Sequence, residues 1–185
     1  CTAAVASPAV GAAGFAVSDL AARVAVTRDG LDAEVLRGTF AGGTLSGTYT
    51  LSPLAAPWRH RVVLRARGLD LAAFLATLAV EPAGLAASGD AEIELAWAGE
   101  AIGAGIGAAA VRLRPAAGDV PLAGGLRITL AGDGRLAFAT DAATLAGAPI
   151  AWQGTLTLGD WVPDWRFAGE RLRPATISRL LAGWT

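Results

Sequence analysis

Cysteine, methionine and histidine are almost missing from this chain, with one Cys, no Met and one His in 185 residues. A single cysteine, Cys1, excludes an internal disulfide framework and a cysteine-based zinc site. A single histidine, His60, excludes a histidine cluster for a metal and leaves a nucleophile–base–orienter set one imidazole to draw on. Aromatic residues are only 6% of the chain, and 15 Lys plus Arg stand against 16 Asp plus Glu, interspersed and not gathered into runs. A nucleic-acid binder would carry a basic stripe interleaved with stacking aromatics. Arg59, Arg61, Arg65 and Arg67 alternate along one expected strand but stand alone, so no nucleic-acid partner is expected.

What is abundant is small and apolar. Hydrophobic residues make up 54% of the chain, Ala and Leu supply most of that mass, and there are 24 glycines. A chain of this length can bury a core, and one of this composition needs apolar partners. Residues Cys1 to Ser18 carry no charge. They are mostly Ala, Gly, Ser and Val around Pro8, so their transfer energy falls well short of a Leu-rich membrane span of about twenty residues. Residues 1–18 are expected to be an apolar linker or a strand lead-in. A chain that opens on Cys has the form of a bacterial lipoprotein acylated there, which makes Cys1 a candidate lipidation site. The preferred expectation is a piece of a longer chain, given the lack of an initiator Met and the ending Gly183-Trp184-Thr185.

From Arg23 onward, short segments alternate apolar and polar residues between Gly, Pro or Asp-Gly punctuation, the signature of strands. Ten strands are predicted: Arg23 to Thr27, Leu31 to Phe40, Thr44 to Leu51, Trp58 to Arg67, Gly89 to Ala98, Ala109 to Arg114, Pro121 to Ala131, Arg135 to Thr140, Ile150 to Leu158 and Trp165 to Gly169. Short connections predict an antiparallel meander. Asp29-Gly30 and Asp133-Gly134 predict type I′ hairpin turns, which need positive φ at both central residues. Along Ala91 to Trp97, the residues Ala91, Ile93, Leu95 and Trp97 share one face while Glu92 and Glu94 take the other. Leu156 and Leu158 oppose Thr155 and Thr157 in the same way, so the sheet has one wet and one dry face.

Two segments change to helical spacing. Leu71, Phe74, Leu75 and Leu78 form a stripe within Asp70 to Leu78, with Asp70 placed as N-cap. Pro174 opens a second helix, to Trp184, with the stripe Ile177, Leu180, Leu181 and Trp184. The helices punctuate an internal repeat: Gly47-Thr48-Tyr49-Thr50-Leu51 resembles Gly154-Thr155-Leu156-Thr157-Leu158, and Pro57-Trp58-Arg59 resembles Pro163-Asp164-Trp165-Arg166. The expected organisation is a lead-in over 1–18, a first strand-meander-plus-helix unit over 19–80 and a second over 81–185. The fold class expected is mainly β: an antiparallel meander forming a twisted, curled sheet, a β-groove, with two short amphipathic helices.

Little in this sequence points to catalysis. His60, between Arg59 and Arg61, reads as a surface or rim residue. Glu92 and Glu94 are the closest carboxylate pair and have the types for acid and base work, but a solvated strand face accounts for them better. Gly103-Ala104-Gly105-Ile106-Gly107 lacks the spacing and the following helix of a phosphate loop and reads as a flexible loop. The six tryptophans, Trp58, Trp97, Trp152, Trp161, Trp165 and Trp184, fall near element ends, where an indole buries its ring and keeps its N–H wet. They serve core packing or line the mouth of an apolar groove.

The order Phe15-Ala-Val-Ser-Asp-Leu, Asp29-Gly30-Leu31, Gly42-Gly43-Thr44-Leu45-Ser46-Gly47 and Arg67-Gly68-Leu69-Asp70-Leu71-Ala72-Ala73-Phe74-Leu75 resembles the C-terminal repeats of the AsmA-like superfamily, which includes TamB-type envelope proteins. Gly125 through Gly154-Thr-Leu-Thr-Leu to Leu180-Leu181 looks like a more diverged copy. The resemblance implies a long β-sheet with an apolar interior, in the periplasm of a Gram-negative bacterium and anchored through other parts of the parent chain. It implies phospholipid conduction between inner and outer membranes, or support of outer-membrane assembly. On this reading the chain is not an enzyme and needs no cofactor. Its partners are phospholipid acyl chains and envelope proteins, and the lipid-groove candidates are Ile93, Leu95, Trp97, Leu156 and Leu158. A non-catalytic structural β-repeat module, an envelope scaffold or adhesin without lipid, is the alternative.

Overall fold

The computed structural model of the protein describes residues 1–12, 15–77, 81, 84–157 and 163–182. Alternating small, β-branched and aromatic residues suit a pleated surface, and the chain runs almost entirely in strands. The eleven are β1 (Thr2–Ala12), β2 (Phe15–Val26), β3 (Leu31–Phe40), β4 (Gly43–Ser52), β5 (Arg59–Asp70), β6 (Leu85–Ala98), β7 (Ile106–Pro115), β8 (Val120–Ala131), β9 (Arg135–Leu145), β10 (Ala148–Thr157) and β11 (Pro163–Gly169). Each pairs antiparallel with the next, giving one eleven-stranded meander in chain order. The sheet is open, with β1 and β11 as its edges among the described residues. Helices α1 (Leu71–Thr77) and α2 (Pro174–Ala182) follow β5 and β11. The mainly-β meander with two short helices is therefore what the fold is.

Residues 1–18 are neither linker nor mere lead-in. Thr2 to Ala12 form a full strand paired with β2 from Thr2↔Ala25 to Ala12↔Phe15, because small uncharged residues extend readily once a neighbouring strand offers its hydrogen bonds. The units expected at 19–80 and 81–185 are halves of one continuous sheet, since β5 pairs with β6 from Arg59↔Ala98 to Asp70↔Ser88. Leu78 and Trp184 lie outside the described residues.

The turns differ from expectation. Neither Asp29 nor Gly30 has positive φ. The connection is the four-residue loop Thr27 to Gly30, in which the Thr27 N–H donates to the Gly30 carbonyl at 2.9 Å. Gly30 is needed for close approach, since a Cβ there would stand 2.3 Å from the Leu51 carbonyl oxygen. Asp133-Gly134 belongs to a three-residue loop with Gly132 and Gly134 at positive φ and the Asp133 carboxylate accepting from the Arg135 N–H at 2.9 Å. The two-residue turns with both φ positive are Ala41-Gly42 (46° and 75°) and Ala146-Gly147 (49° and 82°), closing Phe40↔Gly43 and Leu145↔Ala148. They precede β4 and β10, the two strands that carry the repeated Gly-Thr-x-Thr segment. The expected flexible loop at 103–107 is instead a 3-10 turn, Ile102–Ala104, followed by a buried Gly105 and the start of β7.

Among the described residues the buried apolar residues are few and mostly small: Ala22, Ala66, Ala87, Ala91, Val120, Ala143 and Leu145. Ala87, Val120 and Leu145 lie where β6 runs past the end of β7 and pairs in parallel with β8, Leu85↔Val120 and Ala86↔Pro121. Helix α1 lies at the same end. Its Asp70 cap is formed, with the Ala73 N–H donating to Asp70 Oδ1 at 2.7 Å, and Phe74 meets Phe40 edge-on at 6.1 Å. On α2, Thr176 is buried and Ile177, of the expected stripe, is 42% exposed; the side chains of Leu180 and Leu181 lie outside the described residues.

Candidate functional site: the apolar face of the sheet

Directly opposed residues of neighbouring strands point to the same face, so the register locates each side chain. One rung runs Tyr49, Val62, Leu95, Gly107, Leu130, Leu136 and Leu156 across β4 to β10. The next runs Val35, Gly47, Leu64, Ile93, Ala109, Ile128 and Phe138. Every member is half-buried and none is fully covered. Of the expected groove residues, Ile93, Leu95, Trp97 and Leu156 all lie on this face, with Leu95 and Leu156 on one rung; Leu158 falls outside the described residues.

The other face is polar and exposed. Arg23 pairs with Glu34 at 3.3 Å, Arg61 with Glu94 at 2.5 Å, Arg65 with Glu92 at 3.4 Å and Arg127 with Asp141 at 2.9 Å. Glu92 and Glu94, the pair with the residue types for acid and base, are thus cross-strand partners of arginines, with side chains 73% and 60% exposed. Such exposed pairs contribute about 0–1 kcal/mol each. Their effect is to keep one face wet and fix which face is dry.

The dry face carries a polar cluster at one end. His60, on the opposite side of β5 from Arg59 and Arg61, stacks on Trp97 with ring centroids 4.6 Å apart and planes 6° from parallel. The Tyr49 hydroxyl lies 2.9 Å from its Nδ1, and its Nε2 has no hydrogen-bond partner among the described residues. The triad sits at the end of the sheet away from the helices. Sequence reasoning placed His60 at a surface or rim and missed its stacking. The signal available was the two-residue alternation of His60 with Val62 and Leu64. Trp58 donates from Nε1 to the Leu54 carbonyl at 3.1 Å, and Trp152 meets Phe138 edge-on at 4.9 Å. The side chain of Trp165, and Trp161 and Trp184 altogether, fall outside the described residues.

The openness of the face is visible in the total surface. A compact monomer of this mass exposes about 8,200 Å², whereas this chain exposes 11,424 Å². Among the described residues no group of three or more His, Cys, Asp or Glu could hold a metal, and no helix is long and apolar enough to cross a membrane. Cys1 is exposed with a free thiol. No protein-family model, no curated protein and no solved structure matches the chain.

Proposed function

We propose that the apolar face of this open sheet receives phospholipid acyl chains, as a segment of an AsmA/TamB-like envelope protein that moves phospholipid between inner and outer membranes or supports outer-membrane assembly. The observation that carries the reading is the continuous row Val62, Leu95, Gly107, Leu130, Leu136 and Leu156, half-exposed across six strands without a second layer over it among the described residues. A sheet with one apolar face must cover that face with something, and isolated exposed apolar patches of this extent mark binding surfaces. Each acyl methylene taken from water contributes about 0.8 kcal/mol, and the row is long enough to lay several methylenes along it.

In this reading no residue is catalytic and no cofactor is required. The protein contributes shape and dryness, while the polar face and its ion pairs keep the outside of the sheet in water. The periplasm of a Gram-negative bacterium is the setting the resemblance implies, with anchoring through other parts of the parent chain. Ile93, Leu95, Trp97 and Leu156 form the acyl contact surface. The Tyr49–His60–Trp97 triad supplies polarity at the end away from the helices.

The test is native mass spectrometry with lipid extraction on protein purified from bacterial envelope, beside Leu95→Glu. Phospholipid that accompanies the wild type and is lost in a still-folded variant supports the reading. A well-folded wild type that carries no lipid makes the chain a structural β-repeat module whose face packs on protein.

A further inference from the structure

On the charged face, opposite the apolar rows, strands β5 to β9 surround a solvent-open concavity of about 850 Å³. Its floor includes the small residues Ala110 and Gly125 on neighbouring strands, and Arg65, Arg67, Arg112 and Arg127 rise around it. Short floor residues beside long guanidinium side chains are what make a dent in an otherwise pleated surface.

The charges in the dent do not cancel. Arg65 is engaged by Glu92 at 3.4 Å and Arg127 by Asp141 at 2.9 Å. The remaining carboxylate, Asp90, is held by Arg114, which lies outside the dent, and by the Gly68 N–H at 3.0 Å. Arg67 and Arg112 are left, and no described carboxylate lies within ion-pair distance of either. Both flank Asp90: Arg112 is its register partner on β7, and Arg67 lies in the bulge between Ala66 and Leu69 whose Gly68 N–H donates to the Asp90 carboxylate. Two guanidiniums without an ion-pair partner among the described residues therefore border one cavity, over Asp90, which Arg114 and the Gly68 N–H hold and which Arg67 reaches only at longer range.

We infer that this concavity is a binding site for a phosphate ester, its phosphate oxygens spanning Arg67 and Arg112. Guanidinium groups present forked N–H donors that match tetrahedral oxyanions in bidentate fashion and stay charged at all working pH values. The volume exceeds that of the phosphate group alone and leaves room for the attached organic group. The ligand is a soluble phosphate ester or the headgroup of a lipid, which share this chemistry. The inference is independent of what occupies the apolar face.

The experiment uses the full chain, titrated with inorganic phosphate by calorimetry at constant ionic strength held by chloride. In parallel, it is sedimented with phosphatidylcholine vesicles with and without phosphatidylglycerol. Wild type is compared with the double variant Arg67→Gln/Arg112→Gln and with the control Arg23→Gln, an arginine of the same face outside the cavity. Saturable phosphate binding that weakens at least tenfold in the double variant and is unchanged in the control supports the site and points to a soluble ester. Capture only by vesicles containing phosphatidylglycerol, released by phosphate and lost in the double variant, supports the site with a lipid headgroup as ligand. Binding that the double variant retains, an equal response to chloride, or no binding in either arm overturns it. Circular dichroism of the double variant checks that the sheet persists.

Discussion

The two ends of the dry face are built from the same residue types and end in opposite states. At the helix-bearing end, Ala87, Val120, Ala143 and Leu145 are 5% exposed or less. Towards the far end, Leu95 and Trp97 are only half-buried, and Val26 on the same face is 39% exposed. Hydrophobicity is alike at both ends, so composition does not decide burial. What differs is what lies above: β6 and β8 meet in parallel beyond the end of β7, and α1 lies against β5 and β6. A single pleated layer cannot bury its own face. Its best-buried residues lie where the chain doubles back over it, and the rows of Leu95 and Ile93 stay half-exposed.

The largest effect that would break this comparison is a truncation made once at each end. Leu145→Ala removes a side chain only 2% exposed, and the cavity it leaves is expected to cost about 2–4 kcal/mol. Leu95→Ala, on an uncovered rung, is expected to cost less than about 1 kcal/mol because little area is taken from water there. Denaturant midpoints of the two variants give the difference directly. Equal losses would mean that the far end is covered as well.

The cap of the covering helix comes next in size. Asp70→Ala removes the acceptor of the Ala73 N–H at 2.7 Å and is expected to cost about 1 kcal/mol. Hydrogen exchange should quicken at Ala73 while amides in the centre of β7 keep their protection. Loss of protection throughout the sheet would instead make α1 part of one cooperative unit with the far end.

Smaller still is the effect of the two hairpin turns at the helix-bearing end. Ala41 and Ala146 adopt positive φ of 46° and 49°, a conformation that Asn tolerates better than Ala. Ala41→Asn and Ala146→Asn are each expected to raise stability by about 0.5 kcal/mol, read as a rise in Tm. A gain at one turn only would separate the two copies of the repeat energetically.

These turns also mark how far the sequence can be read. Strand alternation was legible wherever a charged residue stood between apolar ones, as in Ala91 to Trp97, because the ion pairs of Glu92 and Glu94 with arginines on β5 hold the polar face outward. Asp70 as a cap was legible from its position before the stripe Leu71, Phe74 and Leu75. Strand β1 was not, since a run of Ala, Val and Ser around Pro8 carries no polar contrast and extends only because β2 lies beside it. The turns were misjudged at Asp29-Gly30, where a composition favouring positive φ is overruled by the close approach of Gly30 to Leu51. They were missed at Ala41-Gly42, where closure of the Phe40↔Gly43 pair forces Ala into a conformation it does not favour. The concavity on the charged face was beyond reach, because it depends on Ala110 and Gly125 being neighbours across strands.

The smallest effect concerns one carboxylate on the polar side of the helix-bearing half. The Gly68 N–H donating to Asp90 is the largest cause holding the Asp90 carboxyl below its usual value; desolvation opposes it, and the Arg114 guanidinium and the more distant Arg67 each add a smaller lowering effect. A folded-state pKa below the unfolded one means that the charged form is favoured by folding. The contribution of Asp90 to stability is therefore complete above the ordinary carboxylate value of 3.8 and is lost as pH falls through the lower folded value. Carbon-detected NMR should find Asp90 titrating below the ordinary carboxylate value of 3.8, and Asp90→Asn should lower stability near neutrality and flatten its acid limb, so that the two proteins converge as pH falls through the folded value. In Arg114→Gln the Asp90 pKa should rise part of the way back, because the Gly68 N–H remains. A full return would assign the whole shift to the ion pair and leave the bulge at Gly68 without an electrostatic part in holding Arg67 at the rim of the cavity.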